Sequence, residues 1–244
     1  MLNEVTLSLI NLFTSALTAI TGLGGGTILI GLLPILLPSV AIVPVHGASQ
    51  LASNASRAWF GRESLDYTYF KPFLVGSLFG IAVFGLAVRY FQLELIPLFI
   101  GIYILLIQWS DTVNKWLRSL ENFYLVGFIQ MGLGLFVGTP GPLAIALLNK
   151  KYEDNHTVVS VGALMMSVIH GAKLPVYFSL GFAFSEYWKL MLMMIVMAIV
   201  GSLIGTRLRH IIPMPWLKKV LPWLLTLIAL KLIISKVLEF GWIG

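Results

Sequence analysis

Gly22-Leu23-Gly24-Gly25-Gly26-Thr27 interrupts an otherwise continuous apolar run from Val5 to Leu37. Glycine in a helix interior is less favourable than alanine by roughly 1 kcal/mol per position, so this cluster ends a helix. In a bilayer the freed N–H and C=O groups find no water. Irregular backbone survives at that depth only where protein buries it or where it lines a wet cavity. The stretch therefore predicts a helix, a break and a second, shorter helix, with backbone amides presented to a ligand. Small residues also serve close helix packing, but that motif spaces them four apart, and here they are adjacent.

The solvent of the run is set by composition. Of 244 residues, 58% are hydrophobic and 11% charged, with mean hydropathy +0.93, against about 25% charged in ordinary soluble domains. The chain reads as an all-α polytopic membrane protein whose length allows seven or eight spans of about 20 residues each and leaves no room for a soluble domain. Its net charge of +6 lies in short loops between apolar runs and is no nucleic-acid signal. The absence of cysteine excludes disulfides, thiolate metal sites and thiol catalysis. The N-terminal region carries Glu4 and no Lys or Arg, so a cleaved signal peptide is not expected.

Downstream of the break, Pro34, Pro38 and Pro44 are expected to punctuate the end of the run. The next run, Val43 to Phe60, carries His46, Ser49, Gln50, Ser53, Asn54 and Arg57 at helical steps of three and four. A lipid-facing helix does not carry such a stripe, so it faces the protein interior or a cavity. Spans follow near Pro72 to Val88 and Leu95 to Trp109. The polar connector Asp111 to Glu121 marks the midpoint. Then the order recurs: Phe123 to Val137, a second break at Gly138-Thr139-Pro140-Gly141-Pro142, and a short piece to Leu148. A long run from Thr157 to Phe184 carries His170 and Lys173, with a bend or break expected near Pro175. Two more spans cover Leu190 to Leu208 and Trp216 to Ile234.

Fixed offsets support a duplication. Gly22, Gly25 and Arg57 correspond to Gly138, Gly141 and Lys173, each 116 residues on. Gly76-Ser77-Leu78-Phe79-Gly80 corresponds to Gly201-Ser202-Leu203-Ile204-Gly205, and Pro97 to Pro222, each 125 residues on. The units are residues 1–120 and 121–244. If each glycine-broken run is a re-entrant hairpin, the cations segregate as the positive-inside rule requires. One side then receives Arg57, Arg62, Lys71, Lys115, Arg118, Lys150, Lys151, Arg207, Arg209, Lys218 and Lys219. The other receives only Arg89, Lys189 and Lys236. The expected fold is thus two inverted-topology repeats, each a broken re-entrant helix plus three transmembrane helices. Both termini face outward.

Such repeats with broken helices are the architecture of secondary transporters, whose sites lie near the midplane. No acidic residue falls in the middle of an apolar run, whereas Arg57 and Lys173 enter or border the spans. The interior offers basic groups, hydroxyls, Asn54 and glycine amides, with positive helix ends after Gly26 and Gly141. That chemistry suits a small anion. The candidate site is Gly22, Gly24, Gly25, Gly26, Thr27, Ser49, Ser53, Asn54, Arg57, Gly138, Thr139, Gly141, His170 and Lys173. His46 and His170 are candidates for proton coupling, because histidine titrates in the physiological range. No metal or cofactor is implied. Against the site stand plainer roles: Arg57 snorkelling to the surface, His170 bonding a neighbouring helix, and hydroxyls satisfying local carbonyls.

The glycine-rich break Gly22 to Thr27 with Pro34, the polar helix around Ala48 to Asn54, the charged mid-loop and the two-fold repetition resemble the TauE/SafE family. This is the sulfite exporter and 4-toluenesulfonate uptake permease group. The second break departs from that family's usual Gly-Gly-Gly. The resemblance implies transport of sulfite, thiosulfate, sulfonates or related organosulfur anions across a bacterial inner membrane. The alternatives are an anion channel with the same lining chemistry and an intramembrane enzyme. For the latter, Gly47-Ala48-Ser49-Gln50 lacks the final glycine of a rhomboid-type motif, and the four histidines form no His-Glu-x-x-His.

Overall fold

A chain this apolar must satisfy its backbone internally, and in lipid that means helices. The computed structural model describes all residues except Met1, Leu23, Gly141, His210, Ile212, Pro213 and residues 242–244, and omits the side chains of Arg118 and residues 214–218. Among the described residues there are eleven α-helices and no strand. In chain order they are α1 (Leu2–Thr21), α2 (Gly25–Leu32), α3 (Ser39–Phe60), α4 (Phe70–Ala87) and α5 (Ile96–Trp109). Next come α6 (Asp111–Ser119), α7 (Phe123–Phe136), α8 (Leu143–Leu148), α9 (Asn155–Ser179), α10 (Trp188–Leu208) and α11 (Met214–Glu239).

Five helices are long and apolar enough to cross a membrane: α1, α4 with its extension to Tyr90, α9, α10 and Lys219–Glu239 of α11. A sixth candidate joins Leu93–Trp109 to Asp111–Leu117 across a bend of 83°. This is fewer than the apolar runs of the sequence, for a physical reason. The polar stripe of α3 lowers its hydropathy although its 22 residues reach about 33 Å at 1.5 Å per residue. The pieces beside the breaks, α2, α7 and α8, are short.

Three local expectations are corrected. Pro44 does not end a helix. It lies inside α3 as its sixth residue, the N-cap being the extended Pro38, and the helix continues past it although the ring removes one i→i−4 hydrogen bond. Nor does the chain break at Pro175, since α9 runs through it to Ser179. The connector after Asp111 is the amphipathic helix α6, N-capped by Ser110, which accepts from the Val113 amide at 3.3 Å.

Packing pairs each half with the other. The first helix of the chain, α1, packs on α10, and α7 packs on α4; α3 packs on α9, and α5 on α11. The duplicated pentapeptides make the first two pairings possible. A Cβ on Gly76 would meet the Tyr124 carbonyl of α7, and one on Gly80 would meet Met131 and the Phe128 carbonyl. Likewise Gly201 and Gly205 abut the carbonyls of Leu12 and Ala16 in α1. These are small residues four apart that let backbones touch. The polar helix α3 is central, buried without interruption from Ala41 to Gln50.

Candidate functional site: a carboxylate-free cavity between the two breaks

Each break is a turn that glycine permits. Gly22, Gly24 and Gly138 have φ of 83°, 98° and 78°, the left-handed region in which side chains are strained. After the first turn the chain doubles back: a Cβ on Gly25 would strike the Thr14 carbonyl and the Thr18 hydroxyl of α1. Gly25 therefore serves the close packing of α2 on α1. Its neighbours Gly22, Gly24 and Gly26 line a cavity of about 210 Å³.

The two breaks meet in this cavity. Thr27 and Thr139 hydroxyls lie 3.2 Å apart, 112 residues apart in sequence. The polar part of the lining is completed by Thr18, Gln50, Asn54, Arg57, Gln108 and His170, and the rest by Pro140, Pro142, Ile107, Ile145, Met166, Leu221 and Leu225. No carboxylate is among the described residues that line it.

Arg57 does not snorkel. It is 5% exposed and turns inward: Nη1 donates to the Thr18 carbonyl at 3.0 Å and Nη2 to Asn54 Oδ1. Its Nε has no partner, and neither has Gln50 Nε2. Asn54 is oriented by donating from Nδ2 to the Gln50 carbonyl at 2.7 Å. The cavity thus holds a buried guanidinium without a counter-ion and two unpartnered N–H donors. Buried polar groups are nearly always paired in native proteins, which makes these two donors of lining residues exceptional.

Behind the wall lies a second basic cluster. Lys173 is fully buried and does not line the cavity. Its Nζ donates to the Gly138 carbonyl and lies within hydrogen-bond distance of His170 Nδ1, at 2.8 Å, and of His46 Nδ1, at 3.5 Å. His46 Nε2 in turn donates to the Gly26 carbonyl at 2.9 Å. The two imidazoles stand edge to face, with centroids 5.5 Å apart. One chain of hydrogen bonds therefore joins Gly26 of the first break to Gly138 of the second. The helix that carries Lys173 is started by Asp154, which accepts from Thr157 Oγ1 at 2.8 Å, Thr157 N at 2.9 Å and His156 N at 3.1 Å. Those bonds, Thr157's first, hold its carboxyl below the usual range.

Of the residues expected at the site, Gly22, Gly24, Gly26, Thr27, Asn54, Arg57, Thr139 and His170 come together around the cavity. Gly138 and Lys173 stand just behind it, with His46. Ser49 only donates to the His46 carbonyl one turn back, at 3.2 Å. Ser53 faces the other way and pairs with Ser202 of α10 at 3.2 Å. Gly141 lies outside the described residues. Sequence reasoning passed over Thr18, Gln50 and Gln108. Gln50 carried a signal, since it shares the helix face of Asn54 and Arg57; Gln108 carried none.

Long apolar helices, two broken ones and a buried polar cavity between them define a multi-pass helical membrane protein. The family described as Sulfite exporter TauE/SafE matches residues 7–232, and the chain belongs to that family, whose members are membrane transporters rather than enzymes. No curated protein and no solved structure matches the chain.

Proposed function

We propose that the protein is a secondary transporter that moves a small anion, a sulfur oxyanion or an organosulfonate, across the bacterial inner membrane by alternating access. One observation carries this reading: the cavity between the breaks holds Arg57 Nε and Gln50 Nε2, both buried and unpartnered, and no carboxylate. A cation site would require the opposite inventory. The exchange of partners between halves, α1 with α10 and α7 with α4, supports two repeats, residues 1–120 and 121–244. The fold-back of Gly25 onto Thr14 supports a hairpin at the first break, and so does the segregation of loop cations. With re-entrant breaks, that segregation favours inverted repeats with both termini periplasmic.

The test is reconstitution of the full chain in proteoliposomes with sulfite, thiosulfate, ethanesulfonate and 4-toluenesulfonate, beside chloride and an organic cation. Accumulation of a sulfur anion against its gradient is the expected result. Equilibration without accumulation under every imposed gradient would establish the channel alternative, and uptake of the cation alone would refute the anion site. Orientation is tested separately, since the chain has no native cysteine. Ser64→Cys should react with a membrane-impermeant thiol reagent only after cells are opened.

A further inference from the structure

The His46–Lys173–His170 cluster has a proton inventory that the anion site alone does not use. A lysine ammonium has three N–H donors and no acceptor, and here it has three acceptors: the Gly138 carbonyl, His46 Nδ1 and His170 Nδ1. Each imidazole that accepts at Nδ1 carries its own proton on Nε2. For His46 that proton is used, on the Gly26 carbonyl. For His170 it is not: the ring lines the cavity, and its Nδ1 edge is turned to Lys173, so Nε2–H is the edge left for a ligand.

We propose that Lys173 and His170 form a one-proton relay that makes anion binding in the cavity conditional on a proton, an inference that rests on the anion-transport reading above. In the protonated form, Lys173 is an ammonium and His170 offers Nε2–H to the anion. To release the proton, His170 gives its Nε2 hydrogen to a water or ligand in the cavity, and Nδ1 takes a hydrogen from Lys173. Lysine is left as a neutral amine whose lone pair accepts from His170 Nδ1–H. It still donates to Gly138 and His46, so His46 keeps its bond to Gly26. No bond outside the relay changes, the cluster loses one proton, and the cavity edge of His170 turns from a donor into a lone pair that repels an anion.

The surroundings allow this. Of the elements packed on α9, α3 contributes His46 and, further along, Arg57; α4 carries Lys71, exposed in its first turn; the turn Arg62–Ser64 brings Arg62 and Glu63, both exposed; α7 and α8 bring no Lys, Arg, Asp or Glu. Tyr177, one turn on, is committed to the Leu135 carbonyl at 2.8 Å. Among the described residues no buried carboxylate stands with the relay.

The experiment uses the full chain in proteoliposomes with ethanesulfonate, which stays ionised throughout the working pH range, so any pH effect belongs to the protein. Two assays are run: exchange of labelled ethanesulfonate at equal pH, and accumulation driven by a pH gradient with the membrane potential clamped at zero. The parent protein should accumulate the anion about tenfold per pH unit, as one proton per anion requires. Lys173→Arg keeps the charge and the donors but cannot release a proton. In whatever exchange the variant retains, steady-state accumulation should fall to unity, because a fixed positive charge leaves no proton to couple. His170→Gln, with a fixed amide donor, should behave alike and guards against a misfolded arginine variant. If the parent exchanges the anion and either folded variant still accumulates it with the pH gradient, the relay is refuted and the anion site stands. If the parent fails to exchange any sulfur anion of the panel, the anion site and the relay fall together.

Discussion

Arg57→Met separates the functional role of the guanidinium from a structural one, because the two predict opposite balances. In the folded protein Arg57 makes two hydrogen bonds, to the Thr18 carbonyl and to Asn54 Oδ1. The Thr18 carbonyl keeps a donor when Arg57 is lost, the Gly22 amide at 2.8 Å. Asn54 Oδ1 loses its donor, but Asn54 lines the cavity, where water reaches it. Against those small losses stands the removal of a buried charge without a carboxylate, and replacing buried ionic groups by apolar ones of similar volume is often neutral or stabilising. The expected change in folding stability is therefore within about 1 kcal/mol of zero. Transport loses a hydrogen bond between a charged donor and the anion, about 1.5–3 kcal/mol, or a factor of roughly ten to 150 in apparent affinity. The assays are thermal unfolding in detergent and the concentration dependence of sulfite and ethanesulfonate exchange in proteoliposomes. A large loss of stability with unchanged affinity would show that Arg57 is a strut between α3 and α1, and the cavity would lose its anchor.

Gly76→Leu and Gly201→Leu should each separate a pair of helices, α4 from α7 and α1 from α10, and destabilise by more than the about 1–3 kcal/mol usual for overpacking, since backbone is what the new side chain meets; detergent unfolding curves measure it. Asn122→Ala removes the cap that accepts from the Tyr124 and Leu125 amides at 2.8 and 3.3 Å; about 1 kcal/mol of helix stability should appear as faster hydrogen exchange in the first turn of α7. Asp154 has a folded pKa below its unfolded value, so its contribution is present above an unfolded pKa of about 3.9 and is lost as pH falls through the folded value. Protection of the first amides of α9 should drop across that acidic window, and Asp154→Ala should remove the dependence.

How much of this could be read from the sequence depends on the range of the force concerned. The breaks were legible because glycine clusters act locally, and the polar face of α3 was legible because a helix fixes which residues share a side. The recurring pentapeptides were visible as landmarks; that their glycines carry the crossings of α4 on α7 and α10 on α1 follows only from the docked helices. Lys173 shows the limit best. Its depth in an apolar run marked it as unusual, but whether it meets the ligand or stands behind His170 is set by how α9 crosses α3, which no local pattern encodes. Gly25 fails for the same reason: four glycines look alike in sequence, and only the fold-back onto Thr14 assigns this one to packing. Ser49 and Ser53 lie on one helical stripe, yet a local carbonyl takes the first and Ser202 of α10 the second.

The two interior cations solve one electrostatic problem in parallel ways. A helix ends in unpaired carbonyls and a partial negative charge. In each half the broken helix ends beside the cavity, and in each half a basic side chain from the following long helix donates to a carbonyl at that end. Arg57 of α3 takes Thr18 of α1, and Lys173 of α9 takes Gly138, just past α7. A helix end supplies only about half an elementary charge, so each cation is held in place yet left under-neutralised. A carboxylate would have neutralised it fully and, on the proposed reading, disfavoured an anion there. The missing half-charges converge on the one space where the two breaks meet, between Thr27 and Thr139. On the proposed anion-transport reading, the broken helices that would admit the ligand also leave that space positive, and glycine breaks, interior cations and the exclusion of acids would serve one purpose.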